Sequence, residues 1–328
     1  MVKAVRVHQP GPPEVMQFED LEIGTPGEGE ALVKIEAIGL NRAELAFRAG
    51  GYIAPPSWPA RIGYEASGVL LATGPGVDGF TAGQRVSILP NFRQGDYGVY
   101  AEQAIVPASS LIAIPDWLGP IEAAAAWMAS FTAMAVIEVG KAGPGDFVIV
   151  PAASSSVGLT AIQLANWAGA ETIAATRTSA KAEALKGLGA QHVVATEEVD
   201  VVAEVMRITG GKGARLVFDP VGGPYVNTWA NAMAERGILF QYGGLSGQPT
   251  PYPHWGAAMK GLSVRGWIAT EIWGKPERYA HYKDLILHGL KGGHIKPVIA
   301  KTFKLDQIVE AHRFMESNQQ VGKVVVTV

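Results

Sequence analysis

"DFVIVPAASSSVGLTAIQLA", residues 146–165, decides the fold. A short run of branched apolar residues reads as a buried strand, a turn of small residues follows, and from Leu159 onward apolar positions recur at helical spacing. A dinucleotide turn needs small residues because the backbone must bend sharply, approach a pyrophosphate closely and pack the helix against the strand. Aligned on Gly-x-Gly-x-x-Gly, the stretch offers Ala153, Ser155 and Gly158. Alanine and serine are the smallest replacements for glycine, and a serine hydroxyl can donate to phosphate. The letters alone also fit a bare packing turn. Their position favours a nucleotide, since the turn follows a buried strand, opens a helix and leads to a second strand, "ETIAAT", beginning at Glu171.

Working outward, the pattern alternates. Strand "ETIAATR" leads to helix "SAKAEALKGLGA", "HVVAT" to helix "VDVVAEVMRITGG", "ARLVFDPVGG" to helix "YVNTWANAMAERG", and "GILFQYGG" closes the series. This alternation predicts an α/β domain with a doubly wound parallel sheet and crossover helices on both faces. Before it, "MVKAVRV", "EALVKIEAIGL", "ASGVLLATG", "QRVSIL" and "YAEQAIVP" are short runs cut by Gly, Pro and Asp, which reads as strands joined by tight turns. After it come "LSVRGWIA", an apolar stretch with no evident partner, a long helix "KPERYAHYKDLILHGL", and "GKVVVTV", which is expected to return to the first domain. The boundaries drawn from this reading are 1–120 with 270–328 for a β-rich substrate domain and 121–269 for the dinucleotide-binding domain.

Which dinucleotide binds is decided at the end of the second strand. An NAD site places Asp or Glu there to accept from the ribose hydroxyls. Here the strand ends in "AATRTSAK", with Glu171 at the wrong end, so Arg177, Thr178, Ser179 and Lys181 occupy the tip. They can neutralise and hydrogen-bond a 2′-phosphate, and the cofactor expected is NADPH. A basic surface loop with no ligand is the alternative reading of the same residues.

Composition agrees with two globular domains. The chain has 328 residues, 48% hydrophobic and 17% charged, beyond the size at which a single core stops growing. A net charge of -3 gives no footprint for nucleic acid or an anionic membrane, and no apolar run reaches membrane-spanning length. A cytoplasmic protein with a small-molecule substrate is expected. The absence of cysteine removes disulfides, a thiolate nucleophile and any sulfur-built zinc site, and the seven histidines are scattered.

The order of motifs resembles the medium-chain dehydrogenase/reductase superfamily, in its zinc-free quinone-oxidoreductase-like branch. The resemblance is carried over nearly the whole chain by "AIGLNRAEL", "ARIGYEASGVLLATGPGVDGFTAGQRV", "YGVYAEQ", "VPAASSSVGLTAIQLA", "FDPVGG" and "GKVVVTV". It implies a Rossmann domain inserted into a partly open, GroES-like β-barrel domain. Zinc-dependent relatives carry a cysteine where this chain has Asn41 and a histidine where it has Tyr64, so the resemblance implies no metal, a cation on Glu44 and Glu65 being a remote alternative. Without a Lewis acid, hydride addition to a quinone or an α,β-unsaturated carbonyl is the implied reaction. A 2-enoyl thioester reductase, a zinc-independent alcohol dehydrogenase and a non-catalytic NADPH-binding structural or redox-sensor protein stay open beside it.

The resemblance also assigns residues. Tyr52, in "RAGGYIAPPSWP", is either the proton donor or a wall of the substrate pocket. Asn41 and Thr132 are placed near the nicotinamide, with Asn41 counted among the catalytic residues, and Ser155, Ser156 and Val157 at the pyrophosphate. Gly222, Tyr242 and Gly243 border the cofactor at strand ends. Tyr64, Trp127 and Trp267 would form an aromatic cleft or belong to the core. A homodimer joined through the cofactor domain is the implied assembly, with "LSVRGWIA" as its edge.

Overall fold

The computed structural model describes residues 1–51 and 56–328. Two compact units emerge, one built from residues 1–128 and 297–328, the other from the intervening 129–296. In chain order the first unit contributes β1 (Val2–Val7), β2 (Met16–Leu21), β3 (Glu30–Gly39), β4 (Ala60–Arg61), β5 (Ala66–Thr73), β6 (Arg85–Ile88), β7 (Gln103–Pro107) and β8 (Leu111–Ala113). The second contributes β9 (Phe147–Val150), β10 (Glu171–Thr176), β11 (His192–Ala195), β12 (Ala214–Asp219), β13 (Met233–Gln241) and β14 (Ser263–Gly266), after which β15 (Ile299–Lys304) and β16 (Lys323–Thr327) return to the first unit.

The first unit holds a three-stranded sheet, β2-β1-β4, and a seven-stranded sheet, β15-β16-β3-β5-β6-β8 with β7 also on β3. β3 organises it: its first half pairs with β7, its second half with β16, and its other edge with β5. Sequence explains the change. Ala31, Val33 and Ile35 are buried while Lys34 is exposed, a half-buried alternation, but from Ala37 to Gly39 every residue is buried. β1 is tied back by an Ala4–Ala101 bridge and by the Tyr100 carbonyl accepting from Val5 N–H, which curls the two sheets around one apolar core, as a partly open GroES-like barrel requires.

The second unit is a six-stranded parallel sheet of order β11-β10-β9-β12-β13-β14. Ile149, Ile173, Val194, Val217 and Leu239, one from each of five neighbouring strands, meet in its core. This is the doubly wound fold that the alternating pattern predicts.

Three boundaries differ from the sequence reading. The helix expected over "YVNTWANAMAERG" ends at Ala232, and Met233 already belongs to β13. Lys260 ends it by donating its ammonium to the carbonyls of Ala230, Asn231 and Met233, and a register shift with Arg236 in the left-handed region (φ 57°) absorbs the extra residues. The long helix Pro276–Lys291 belongs to the second unit and not to the substrate unit. Gly289 lies close enough to Trp167 that a Cβ would come within 3.0 Å of its ring, and Tyr279 stacks on Phe131. Conversely, the helix Pro120–Ala125 packs Ala124 and Ala125 against Ala37 and Val325 of the first unit. Among the described residues no helix is long and apolar enough to cross a membrane.

Candidate functional site

In the second unit the chain runs outward from β9 to β10 and β11, then returns to β12 on the other side of β9. The β9/β12 boundary is therefore the switch point at which doubly wound sheets leave a crevice beyond the strand ends. The two turns beside it are Ala152–Ser155 and Pro220–Gly223. Ala152 is left-handed (φ 49°), which costs a non-glycine residue about 1–2 kcal/mol and makes the sharp bend. Ser155 then caps the twelve-residue helix Ser156–Trp167, its hydroxyl accepting from Gly158 N–H at 3.0 Å. Leu159 N–H goes to the Ser155 carbonyl. The N–H groups of Ser156 and Val157 make no hydrogen bond among the described residues, so the helix presents two open donors at its positive end. Gly158 is glycine by necessity, since a Cβ would sit 2.8 Å from the Ala152 carbonyl oxygen and 2.9 Å from Ala153 Cα.

Across the switch point, buried Asp219 accepts from the N–H groups of Val221 (2.7 Å) and Gly222 (3.2 Å) and folds the turn over itself. Burial raises its pKa against the pull of those bonds. Gly222 takes φ 65°, and a side chain there would meet Thr250 Oγ1 at 2.6 Å. Tyr242 and Gly243 follow β13 at the same sheet edge, with the Tyr242 ring stacked on Phe218 and its hydroxyl buried without a partner among the described residues. Thr132 lies in the same unit, and its carbonyl accepts from Trp267 Nε1 at 2.7 Å.

The tip of β10 carries Arg177, Thr178 and Ser179, all exposed, and Lys181, whose ammonium donates to Ser154 Oγ at 3.1 Å. Lys181 thus links the basic tip to the Ala152–Ser155 turn. Sequence reasoning missed what stands beside it. β11 runs parallel to β10, and the ladder continues past both strands through Thr196 N–H to Thr176 O (2.8 Å) and Glu197 N–H to Arg177 O (2.9 Å). That register lays Thr196 and Glu197 along Thr176 and Arg177, the chain then turns back on the Ala195 carbonyl, and Glu198 Oε1 accepts from Ser179 N–H at 3.0 Å.

In the first unit the residue types picked out by resemblance meet in a buried polar cluster. Asn41 sits at the end of β3, before the helix Arg42–Arg48, and Glu65 just before β5. Glu65 Oε1 accepts from the N–H groups of Trp127 (3.1 Å) and Met128 (2.8 Å). Its Oε2 accepts from Asn41 Nδ2 (3.0 Å) and from Lys323 Nζ (2.6 Å). Lys323 also donates to Asn41 Oδ1 at 2.6 Å, and Asn41 Nδ2 donates to the Gly39 carbonyl. The Asn41 amide is therefore held on both sides, and a ligand could use only the remaining lone pair of Oδ1. Glu44 is fully buried, accepts from Asn41 N–H through Oε2 and leaves Oε1 without a partner among the described residues. Burial pushes its pKa up to about 8, against the opposing pull of Lys323. The cluster thus pairs one ammonium with one carboxylate beside a neutral Glu44 at pH 7.

This donor set does not fit zinc. An amide stands at the first ligand position and a phenol, buried Tyr64, at the second, while Lys323 already supplies the local positive charge to Asn41 and Glu65. It equally disfavours a cation shared by Glu44 and Glu65. Tyr52 lies outside the described residues. Tyr64, Trp127 and Trp267 are 4%, 0% and 4% exposed, which is the signature of core side chains.

Comparison with known proteins agrees with this architecture. Residues 27–116 match the family described as alcohol dehydrogenase GroES-like domain, and residues 156–287 match the family described as zinc-binding dehydrogenase. The chain is 30% identical to a 2-haloacrylate reductase from a Burkholderia species, over 99% of each protein. It is also 30% identical to a quinone oxidoreductase from Salmonella typhimurium, over 98% of each. The structure of Escherichia coli quinone oxidoreductase complexed with NADPH aligns at a TM-score of 0.92 and 27% identity, covering 99% of this chain and all of that one.

Proposed function

The chain belongs to the medium-chain dehydrogenase/reductase superfamily, in its quinone-oxidoreductase-like branch, and from that premise we propose that it is an NADPH-dependent, zinc-independent reductase of quinones or α,β-unsaturated carbonyls. The observation behind the cofactor is the pair of open donors on Ser156 and Val157 over Gly158, at the switch point of a parallel sheet, with Arg177 and Lys181 one strand away. Ser155 orients that turn, Ser156 and Val157 hold the pyrophosphate, and Gly222, Tyr242 and Gly243 border the site from the strand ends beyond β12 and β13. Arg177, Thr178 and Lys181 take the 2′-phosphate, while Thr132 and Asn41 are the contacts proposed near the nicotinamide.

When bound, reduced nicotinamide supplies hydride to the acceptor. An electron-poor double bond or a quinone accepts it without a Lewis acid, which suits a chain whose donor set does not fit zinc. A relative that reduces a haloacrylate points to the same class of polarised alkene. The proton follows from solvent or from the Tyr52 phenol.

Exposed Trp255 and Met259, four residues apart on the helix His254–Lys260, stand just before β14, which ends the sheet with one edge unpaired among the described residues. That edge and the apolar face beside it support a homodimer of second units. The proposed location is the cytoplasm, where NADPH is supplied.

Steady-state oxidation of NADPH with a panel of quinones and enones tests the function. Turnover with at least one electron-poor acceptor, retained after chelation, is expected. Tight NADPH binding with no turnover on any acceptor would make the chain a binding protein instead. Sedimentation tests the assembly, and a monomer at every concentration would overturn it.

A further inference from the structure

The tip that is read as basic is not basic alone. Arg177 and Lys181 bring two positive charges, but the parallel register of β10 and β11 sets Glu197 opposite Arg177, and the turn that follows brings Glu198 to Ser179, with Asp200 two residues further on. Asp200 is occupied as a helix cap, accepting from Ala203 N–H at 3.1 Å. Glu198 is different. It is exposed, so burial does not fix its position, and its Oε1 takes the Ser179 backbone N–H at 3.0 Å. That N–H is a tip donor between Arg177 and Lys181, of the kind a phosphate oxygen uses. Among the described residues the Arg177 guanidinium forms no ion pair with any of these acids, although they lie on the neighbouring strand's extension.

We propose that Glu198 is a specificity-determining residue that weakens the preference for NADPH over NADH, because its carboxylate occupies the Ser179 donor and repels a 2′-phosphate while offering an acceptor to a free ribose hydroxyl. The inference rests on the reading of residues 177–181 as the 2′-phosphate loop. The basic residues attract the phosphate and the acid opposes it, so NADPH is preferred by less than the basic residues alone would give. A phosphate carrying close to two negative charges, a few ångströms from one carboxylate in a solvated loop, is disfavoured by about tenfold. Being electrostatic and exposed, the penalty shrinks as ionic strength rises.

The test uses the full chain as parent, Glu198→Gln and Arg177→Ala, with dissociation constants for NADPH, NADH, 2′,5′-ADP and 5′-AMP at low and high salt. Glu198→Gln is expected to tighten NADPH and 2′,5′-ADP about tenfold at low salt. NADH and 5′-AMP should be unchanged or weaker, and the gap should narrow at high salt. If Arg177→Ala selectively weakens 2′,5′-ADP while Glu198→Gln changes the four ligands alike or not at all, the proposal fails and the phosphate loop stands. If Arg177→Ala weakens NADPH and NADH equally, the loop assignment fails and the proposal falls with it.

Discussion

Replacing Lys323 by methionine should destabilise the first unit severely. The lysine is 2% exposed, at the start of β16, and its ammonium lies 2.6 Å from both Asn41 Oδ1 and Glu65 Oε2. Methionine fills nearly the same volume, so the packing of the stem survives and the change isolates the charge. What remains is a fully buried Glu65 carboxylate held by three neutral N–H donors, those of Trp127, Met128 and Asn41. Removing one partner of a buried ion pair costs about 3–5 kcal/mol, because the other charge is left uncompensated. For a unit of this size that lowers the thermal midpoint by about 6–20 °C. Scanning calorimetry at pH 7, supported by urea unfolding, reads the loss. The double variant Lys323→Met with Glu65→Gln removes both charges and should recover most of it, since a neutral buried replacement of a pair is often without net cost. A single variant within about 1 kcal/mol of the parent, the range of an exposed pair, would refute the reasoning. So would a double variant no more stable than the single.

The same unit should have a stability plateau between about pH 4.5 and 6.5. Glu44, raised to about 8 by burial, adds stability that is full below its unfolded value of 4.5 and is lost as pH rises towards 8, whereas His312, lowered to about 3 by burial and by Arg48, adds stability that is full above 6.5 and is lost as pH falls towards 3. Calorimetric midpoints across pH 4 to 8.5 check this, and Glu44→Gln should abolish the alkaline decline, which has a slope of up to about 1.4 kcal/mol per pH unit. Gly158→Ala forces a Cβ against the Ala152 carbonyl and Ala153 Cα, neither of which is a movable side-chain tip, so it should cost about 1–3 kcal/mol and weaken NADPH and NADH together in equilibrium titration. Tyr52→Phe should slow enone reduction by about ten- to a hundredfold and quinone reduction less, because only the enone must be protonated on carbon; unchanged enone turnover would leave Tyr52 as a pocket wall.

What the sequence makes legible here is what local pattern governs. The strand at Phe147–Val150, the small-residue turn and the helix opened by Ser155 follow one another in chain order, so period and capping reveal them without tertiary knowledge. Arg177 and Lys181 are readable for the same reason, being a few residues past a strand whose direction is already known. Glu198 is not, because its meaning comes from the neighbouring strand. "TEEVD" reads as an ordinary acidic turn until β11 is laid parallel to β10, although the tendency of consecutive strands in such sheets to be neighbours was a usable signal. Lys323 is harder still. In "GKVVVTV" a lysine before three valines looks like a strand end reaching for water, and nothing local says that the strand is covered on both faces. Its partners, Asn41 and Glu65, stand at the far end of the chain. The hint was chemical and not periodic: Glu44 and Glu65 each lie among apolar residues in "NRAEL" and "IGYEASG", and a buried acid requires a donor or a cation from somewhere. Where a motif's usual ligands are replaced by an amide and a phenol while the acid beside them stays, the missing positive charge should be sought in the rest of the chain, and in this protein the closing strand supplies it.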